Sequence, residues 1–288
     1  MKTIVLTILI VLSLLLAGCA PTPTAPPSAT SEPLPTSTST PDPDAWELIW
    51  SDEFDLPDCS PPDPAKWNHQ KGGSGWGNGE LQHYTDSANN AYIEDEMLVI
   101  KAIEEYMMGR DYTSARLTTQ YKGDWTQGRI EIRAKLPDTQ GIWPALWMLP
   151  TRAFYGTWPA GGEIDIMEMI GRDPNRVYGT LHYGNPHTFT SGTFDLPAGQ
   201  TFSDDFHVFA VEWEPDEFRW YVDDTLFYTK NDWFTSGKDA PYPAPFDQDF
   251  HLLMNVAVGG HWPGNPDESS VFPQTMIVDY VRVYQHPK

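Results

Sequence analysis

The stretch GRIEIRAKL, residues 128–136, places Ile130, Ile132, Ala134 and Leu136 on one side of an extended chain and Arg129, Glu131, Arg133 and Lys135 on the other. That period of two is the pattern of a half-buried strand, with one face on a core and one on water. HVFAVEWEPDEFRWYVDDTLFYTK, 207–230, predicts paired strands that turn at EPDE and again at DD, while FHLLMNVAVGG and MIVDYVRVYQ predict two more. No long helical periodicity, heptad pattern or internal repeat competes with these segments. Many short strands separated by Gly, Pro and Asn turns predict an all-β chain, a two-sheet antiparallel sandwich or jelly roll.

One segment breaks the alternation. In GGEIDIMEMIG, 161–171, Glu163 and Asp165 share a face opposite Ile164 and Ile166, but Glu168 has the wrong parity. Strict alternation would drive its carboxylate among the isoleucines, at a cost of several kcal/mol if ionised and unpaired. One extra residue, a β-bulge at or near Met167, returns Glu168 to the acid face and turns Met169 to the core. A helix would instead align 164, 168 and 171, against the β-branched run and its flanking glycines. The preferred reading is a strand that presents three acids.

The first 19 residues carry Lys2, an apolar run from Ile4 to Leu16 and LAGC ending at Cys19. The run reads as a secretory signal. LAGC resembles a bacterial lipobox, which implies cleavage before Cys19 and lipidation of its sulfur; an ordinary signal peptide is the alternative. Residues 19–45 form a Pro, Ser and Thr tract with almost no core-forming side chains, expected to be a disordered tether or else a processed pro-segment. The folded domain is expected over 46–288, enough for one large core. The expected location is extracytoplasmic, on the bacterial membrane through the lipid. Besides Cys19 the only cysteine is Cys59, so no disulfide staples the domain. Aromatics are unusually heavy, with 12 Trp, 13 Tyr and 13 Phe, and a formal net charge of −22 argues against nucleic acid, anionic membrane surfaces and heavily sulfated polymers as partners and for a neutral ligand.

Three acids on one face of a curved sheet can do defined chemistry. Carboxyl groups about 5–5.5 Å apart across a sugar ring are what a retaining glycosidase uses, one as nucleophile and one as acid and base. Crowded negative charges cannot all ionise freely, so one holds a proton near neutrality. A calcium site is the competing reading, but a bare strand lacks the loop carbonyls that complete six to eight ligands.

On these residues the chain resembles glycoside hydrolase family 16, in particular its laminarinase-like endo-β-1,3-glucanases, whose motif carries the inserted residue. The similarity runs from Trp46 to about Gln285 through LIWSDEFD, GNGELQHYT, SARLTT, GIWPALWMLP, GTLHYG, NVAVGGHWPG and VDYVRVYQ. It implies a concanavalin A-like jelly roll with a concave groove, no cofactor for catalysis, and Glu163 as nucleophile, Asp165 as its assistant and Glu168 as acid/base. It also implies that His182 lies beside the acid/base near the leaving group, and that Asn78, Glu80 and Arg116 lie on the glycone side. Each has a plainer reading, His182 as a hydrogen-bonded sheet residue and the other three as turn or rim groups. Trp143 and Trp147 share a strand face and are groove or core residues. Trp158, beside the acids on a loop, offers a flat face for a pyranose ring, and Trp262 a groove wall.

Asp279 in MIVDYVRVY shares parity with Ile277, Val281 and Val283, which would put a carboxylate on an apolar face. The resemblance implies a structural calcium there, with the backbone carbonyl of Glu53 as a companion ligand; pairing with a basic residue or with backbone N–H groups is the alternative. The expected function is endo-hydrolysis of β-1,3-glucan by a monomer. Mixed-linkage glucan, β-galactan or transglycosylation are alternatives within the family, and a glucan-binding surface lipoprotein is the alternative outside enzymes.

Overall fold

The structure is a computed structural model, and it describes residues 45–235 and 240–287. Residues 1–44, with the predicted leader, Cys19 and nearly all of the predicted tether, lie outside the described residues.

Among the described residues there are eighteen strands and no helix. In chain order they are β1 (Glu47–Asp52), β2 (Asn68–His69), β3 (Gln82–Tyr84), β4 (Ala91–Glu94), β5 (Met97–Met107) and β6 (Arg110–Ser114). Then come β7 (Arg116–Thr118), β8 (Asp124–Trp125), β9 (Gly128–Lys135), β10 (Ile142–Pro150), β11 (Glu163–Glu168) and β12 (Arg176–Tyr183). The chain ends with β13 (Thr188–Asp195), β14 (His207–Trp213), β15 (Phe218–Val222), β16 (Thr225–Lys230), β17 (Phe250–Val258) and β18 (Gln274–Gln285). Ten form one sheet, ordered β16-β15-β14-β9-β18-β5-β6-β3 with β1 on β18 and β4 on β5. Eight form the other, ordered β13-β12-β11-β10-β17-β7-β2 with β8 on β17. Every pairing is antiparallel except β3 with β6. This is the expected jelly-roll sandwich.

The sequence patterns show why. In β9, Ile130, Ile132 and Ala134 are fully buried between the sheets. The alternate residues face out, where Arg129 pairs with Glu131 and with Glu212 of β14. The β15–β16 hairpin turns on Asp223 and Asp224, both at positive φ (47° and 63°), as a two-residue turn matched to strand twist requires. Between the sheets Trp213 stacks on Phe218 at 5.8 Å and meets Phe250 at 5.3 Å. Such pairs contribute roughly 0.5–1.5 kcal/mol each beyond the area they bury.

One contact crosses from sheet to sheet behind the acid strand. The Trp220 indole of β15 is fully buried and donates from Nε1 to the backbone carbonyl of Asp165 in β11, at 2.9 Å. Its ring lies against Gly179 of β12, where an added Cβ would stand 2.4 Å from Cδ1 of the indole. Glycine is required there by close approach.

Candidate active site

The expected irregularity in the acid strand is present. Against β10, Met167 pairs with Leu146 and Asp165 with Trp147, leaving Ile166 extra; against β12, Asp165 pairs with Thr180 and Glu168 with Tyr178. Ile166, Met167 and Met169 all enter the core, and Glu163, Asp165 and Glu168 share the opposite face. There they line a groove of about 690 Å³ on the outer side of the eight-stranded sheet, a volume ordinary for a ligand site.

The acids differ in surroundings. The Asp165 side chain is 3% exposed and that of Glu163 16%. Burial holds Asp165 well above the usual carboxylate range. Burial and then the neighbouring Asp165 raise Glu163, while His182 and Arg116 draw it back. Asp165 is the more buried of the two, and its charge is itself one cause of the rise at Glu163 and at Glu168, so the pair titrates as a coupled unit. Glu168 is pushed up to about 8, first by burial and then by Asp165, against opposing effects of His182 and of Trp143, whose Nε1 donates to Oε1 at 3.1 Å. The site thus holds, in Glu168, a carboxylic acid that keeps its proton at neutral pH beside two coupled acids on the same face.

On the side of β10, β17 and β7 the groove has a fixed polar floor. The Trp147 indole donates to Asn255 Oδ1 at 2.8 Å, so Trp147 is a groove residue and not core. Arg116 lies between Trp147 and Trp76, 4.6 and 4.5 Å from the ring centres, and donates to Gln70 Oε1 at 2.6 Å. Glu80, 3% exposed, accepts from Asn78, Gln82 and Tyr84. All three predicted residues, Asn78, Glu80 and Arg116, line the groove. Trp262 also lines it, edge-on to Trp143 at 5.4 Å and to Tyr178 at 5.1 Å.

The other side is built by β12, β13 and the 151–161 loop. Trp158 is 53% exposed and forms a wall with His187, 4.8 Å between ring centres. His182 pairs in register with Glu163, and its Nε2 lies 3.3 Å from Asp165 Oδ2 and 3.8 Å from Glu163 Oε1. Glu163 and Asp165 are thus within 4 Å of His182, which also acts electrostatically on Glu168. Glu163, Asp165 and His182 bring one ligand atom each within 4.8 Å of one another. Three such donors fall short of a calcium shell.

Trp76, Tyr178, His187, Phe189 and Asn255 also line the groove and escaped the sequence reading. Asn255 alone carried a signal, as the one amide inside the apolar run LLMNVAV. His187 and Phe189 belong to a loop and an edge strand whose pattern names no face.

Asp279 corrects an expectation. Between β18 and β9 the register shifts between Val278 and Tyr280, so Asp279 leaves the apolar face, while Val278, Val281 and Val283 stay buried. The carboxylate is 35% exposed and pairs with Arg133 at 2.5 Å. The carboxylate of Glu53 is taken by Arg282, and the β1–β18 ladder ends at the Asp52–Val281 pair. The pair with Arg133 is the basic-residue alternative to a calcium ligand at Asp279. Cys59 is an exposed loop thiol at positive φ.

Comparison with known proteins places this geometry. The family model for glycosyl hydrolases family 16 matches residues 78–282. A β-glucanase of Rhodothermus marinus is 49% identical over 249 residues, covering 83% of this chain and 85% of that protein. The crystal structure of the laminarinase from Rhodothermus marinus superposes with a TM-score of 0.76 at 48% identity, over 85% of this chain and 99% of that one. A non-specific endo-β-1,3(4)-glucanase, crystallised with a glucan oligosaccharide at its active site, superposes with a TM-score of 0.75 at 36% identity, over 84% and 96%.

Proposed function

This chain belongs to glycosyl hydrolase family 16, and from that premise we propose that it cleaves β-1,3-glucosidic linkages inside β-glucan chains with retention of anomeric configuration. The observation that carries the proposal is the bulge at Ile166. It puts Glu163 and Glu168 on one groove face, with Glu168 holding its proton at neutral pH. Glu163 attacks the anomeric carbon while Glu168 passes its proton to the leaving oxygen; the glycosyl–Glu163 ester forms as the glycosidic bond breaks. Glu168, now a carboxylate, takes a proton from water, and the resulting attack releases the sugar and restores both groups. Asp165 supports Glu163 from the more buried position. These side chains suffice for the chemistry, with no cofactor.

Arg116, Glu80 and Asn78 supply fixed donors and acceptors for sugar hydroxyls on one side of the acids, and Trp158 and Trp262 supply flat faces for pyranose rings. Uncharged glucose suits a domain of this acidity. The test is a comparison of initial rates on laminarin, barley mixed-linkage glucan and agarose at equal mass, with product sizing. Laminarin is expected to be cut internally and fastest, mixed-linkage glucan more slowly, and agarose not at all. Agarose as the best substrate, or glucose as the sole first product from laminarin, overturns the reading. Mixed-linkage cleavage is the second reading, favoured by the likeness to a non-specific β-1,3(4)-glucanase. A binding-only protein is disfavoured because all three acids are present and converge.

The sequence at LAGC supports a lipid anchor at Cys19 that holds the enzyme on the extracytoplasmic side of a bacterial membrane. Labelled acyl chain on the wild type, absent from Cys19→Ala, is the expected result; no label on the wild type removes the anchor.

A further inference from the structure

His187 has no place in the reaction described above, yet it makes the closest polar contact to His182. Its Nε2 lies 2.9 Å from His182 Nδ1, with the two ring planes nearly parallel at 20°. Two lone pairs cannot face each other at that distance, and neither can two N–H groups, so one proton sits between these nitrogens. On its other edge His182 presents Nε2 to Asp165 and Glu163, both acceptors when ionised. Asp165 Oδ2 is buried without a hydrogen-bond partner, and Nε2 at 3.3 Å can offer it a hydrogen. A neutral imidazole carries one hydrogen, and the acid side claims it for Nε2. Nδ1 is then an acceptor, and the proton between the rings must come from His187.

We propose that His187 is a positioning residue for the hydrolytic reaction: its Nε2–H donates to Nδ1 of His182 and so fixes His182 as the Nε2–H tautomer, aimed at the Glu163–Asp165 pair. A hydrogen on Nε2, 3.3 Å from the Asp165 oxygen that has no hydrogen-bond partner, favours negative charge on that pair, the charge that the nucleophile needs. His187 is itself held in place by aromatic neighbours, with Trp158 at 4.8 Å and Phe189 at 6.0 Å between ring centres. The charged and titratable groups around His182 are Glu163 and Asp165 on β11, Glu168 further along that strand, Arg116 acting through Glu163, and His187. Burial and the neighbouring His182 lower His187, consistent with a neutral donor. The proposal rests on the retaining mechanism above only for its kinetic consequence; the tautomer is a property of the free protein.

The experiment therefore has two arms. Long-range 1H–15N correlation of the histidine rings in the full chain should show His182 with hydrogen on Nε2 in the wild type. In His187→Phe, which keeps a ring against Trp158 and Phe189 but has no donor, the His182 signals should move toward a mixture of tautomers. His187→Gln, whose side-chain amide can donate, should restore them. In the second arm, on laminarin, His187→Phe should lose about tenfold in kcat with KM within about twofold, and His187→Gln should recover most of it. A wild-type His182 with hydrogen on Nδ1 overturns the proposal, as does an unchanged kcat in His187→Phe or a loss confined to KM. If laminarin is not a substrate but the tautomer is as stated and is released by His187→Phe, the substrate reading fails and the positioning role stands.

Discussion

The indole of Trp143 donates from Nε1 to Glu168 Oε1 at 3.1 Å, a neutral donor on a carboxyl group that burial and Asp165 push up to about 8. The bond favours the ionised form and, with the larger effect of His182, restrains that rise. Trp143→Phe removes it, so Glu168 should titrate higher still, and the alkaline limb of kcat/KM on laminarin should move up by about 0.5–1 pH unit. A limb that stays put or moves down means that Glu168 does not govern it.

Glu168 also sets a pH dependence of stability. Its folded pKa, about 8, lies above the unfolded value of 4.5, so the folded state binds its proton more tightly. Stability from this group is fully present below about pH 4.5 and is lost as pH rises toward 8. Glu168→Gln has no proton to lose. It should melt above the wild type at pH 8, by an increment of at most a few kcal/mol, and close to it at pH 4. The opposite order at pH 8 contradicts the assigned direction.

The nucleophile assignment is open to a stereochemical test. The first reducing ends formed should be β by proton NMR, before mutarotation. Glu163→Ala should lose nearly all turnover while remaining folded, and azide should rescue it with inversion, whereas azide with Glu168→Ala should yield the β-azide. Initial α product removes the retaining mechanism, and swapped azide products reverse the two roles.

Gly179→Ala should report on the Trp220 contact. Its Cβ would lie 2.4 Å from the indole, and overpacking of this kind costs roughly 1–3 kcal/mol. For a domain of this size that is a fall in Tm of about 2–12 °C. Because the displaced indole holds the Asp165 carbonyl, kcat should fall as well. A variant that melts and turns over like the wild type means the indole has room to give way.

Asp279 and Arg133 are both about one-third exposed, so their pair should contribute only about 0.2–1 kcal/mol. Asp279→Ala and Arg133→Ala should each lower Tm slightly, their double mutant should be less than additive, and a chelator should leave the wild-type Tm unmoved. A chelator-dependent fall in the wild type that Asp279→Ala lacks would restore the calcium ligand.

Asp279 and Glu168 together show how far this sequence was legible. Each is a carboxylate of the wrong parity in an apolar strand, and the structure answers both with a shift of register. At Glu168 two further acids on the opposite parity pointed to a bulge. At Asp279 no such neighbour did, and the same device was read as a buried charge in search of a cation. The alternation of β9 and the hairpin at Asp223–Asp224 were legible because their periodicity is local. The arm of the groove made by His187 and Phe189 was not, since a loop and an edge strand meet the acids only through the pairing of β12 with β13.

The indole that steadies the acid strand belongs to the opposite sheet, so the catalytic face is not a detachable module. A graft that carried the groove strands onto another sandwich would bring Glu163, Asp165 and Glu168 but leave Trp220 behind. Engineering for thermal tolerance meets the same restriction from the other side: core positions around Trp220 and Gly179 cannot be redesigned for packing alone, because the geometry of the chemistry is inherited from them.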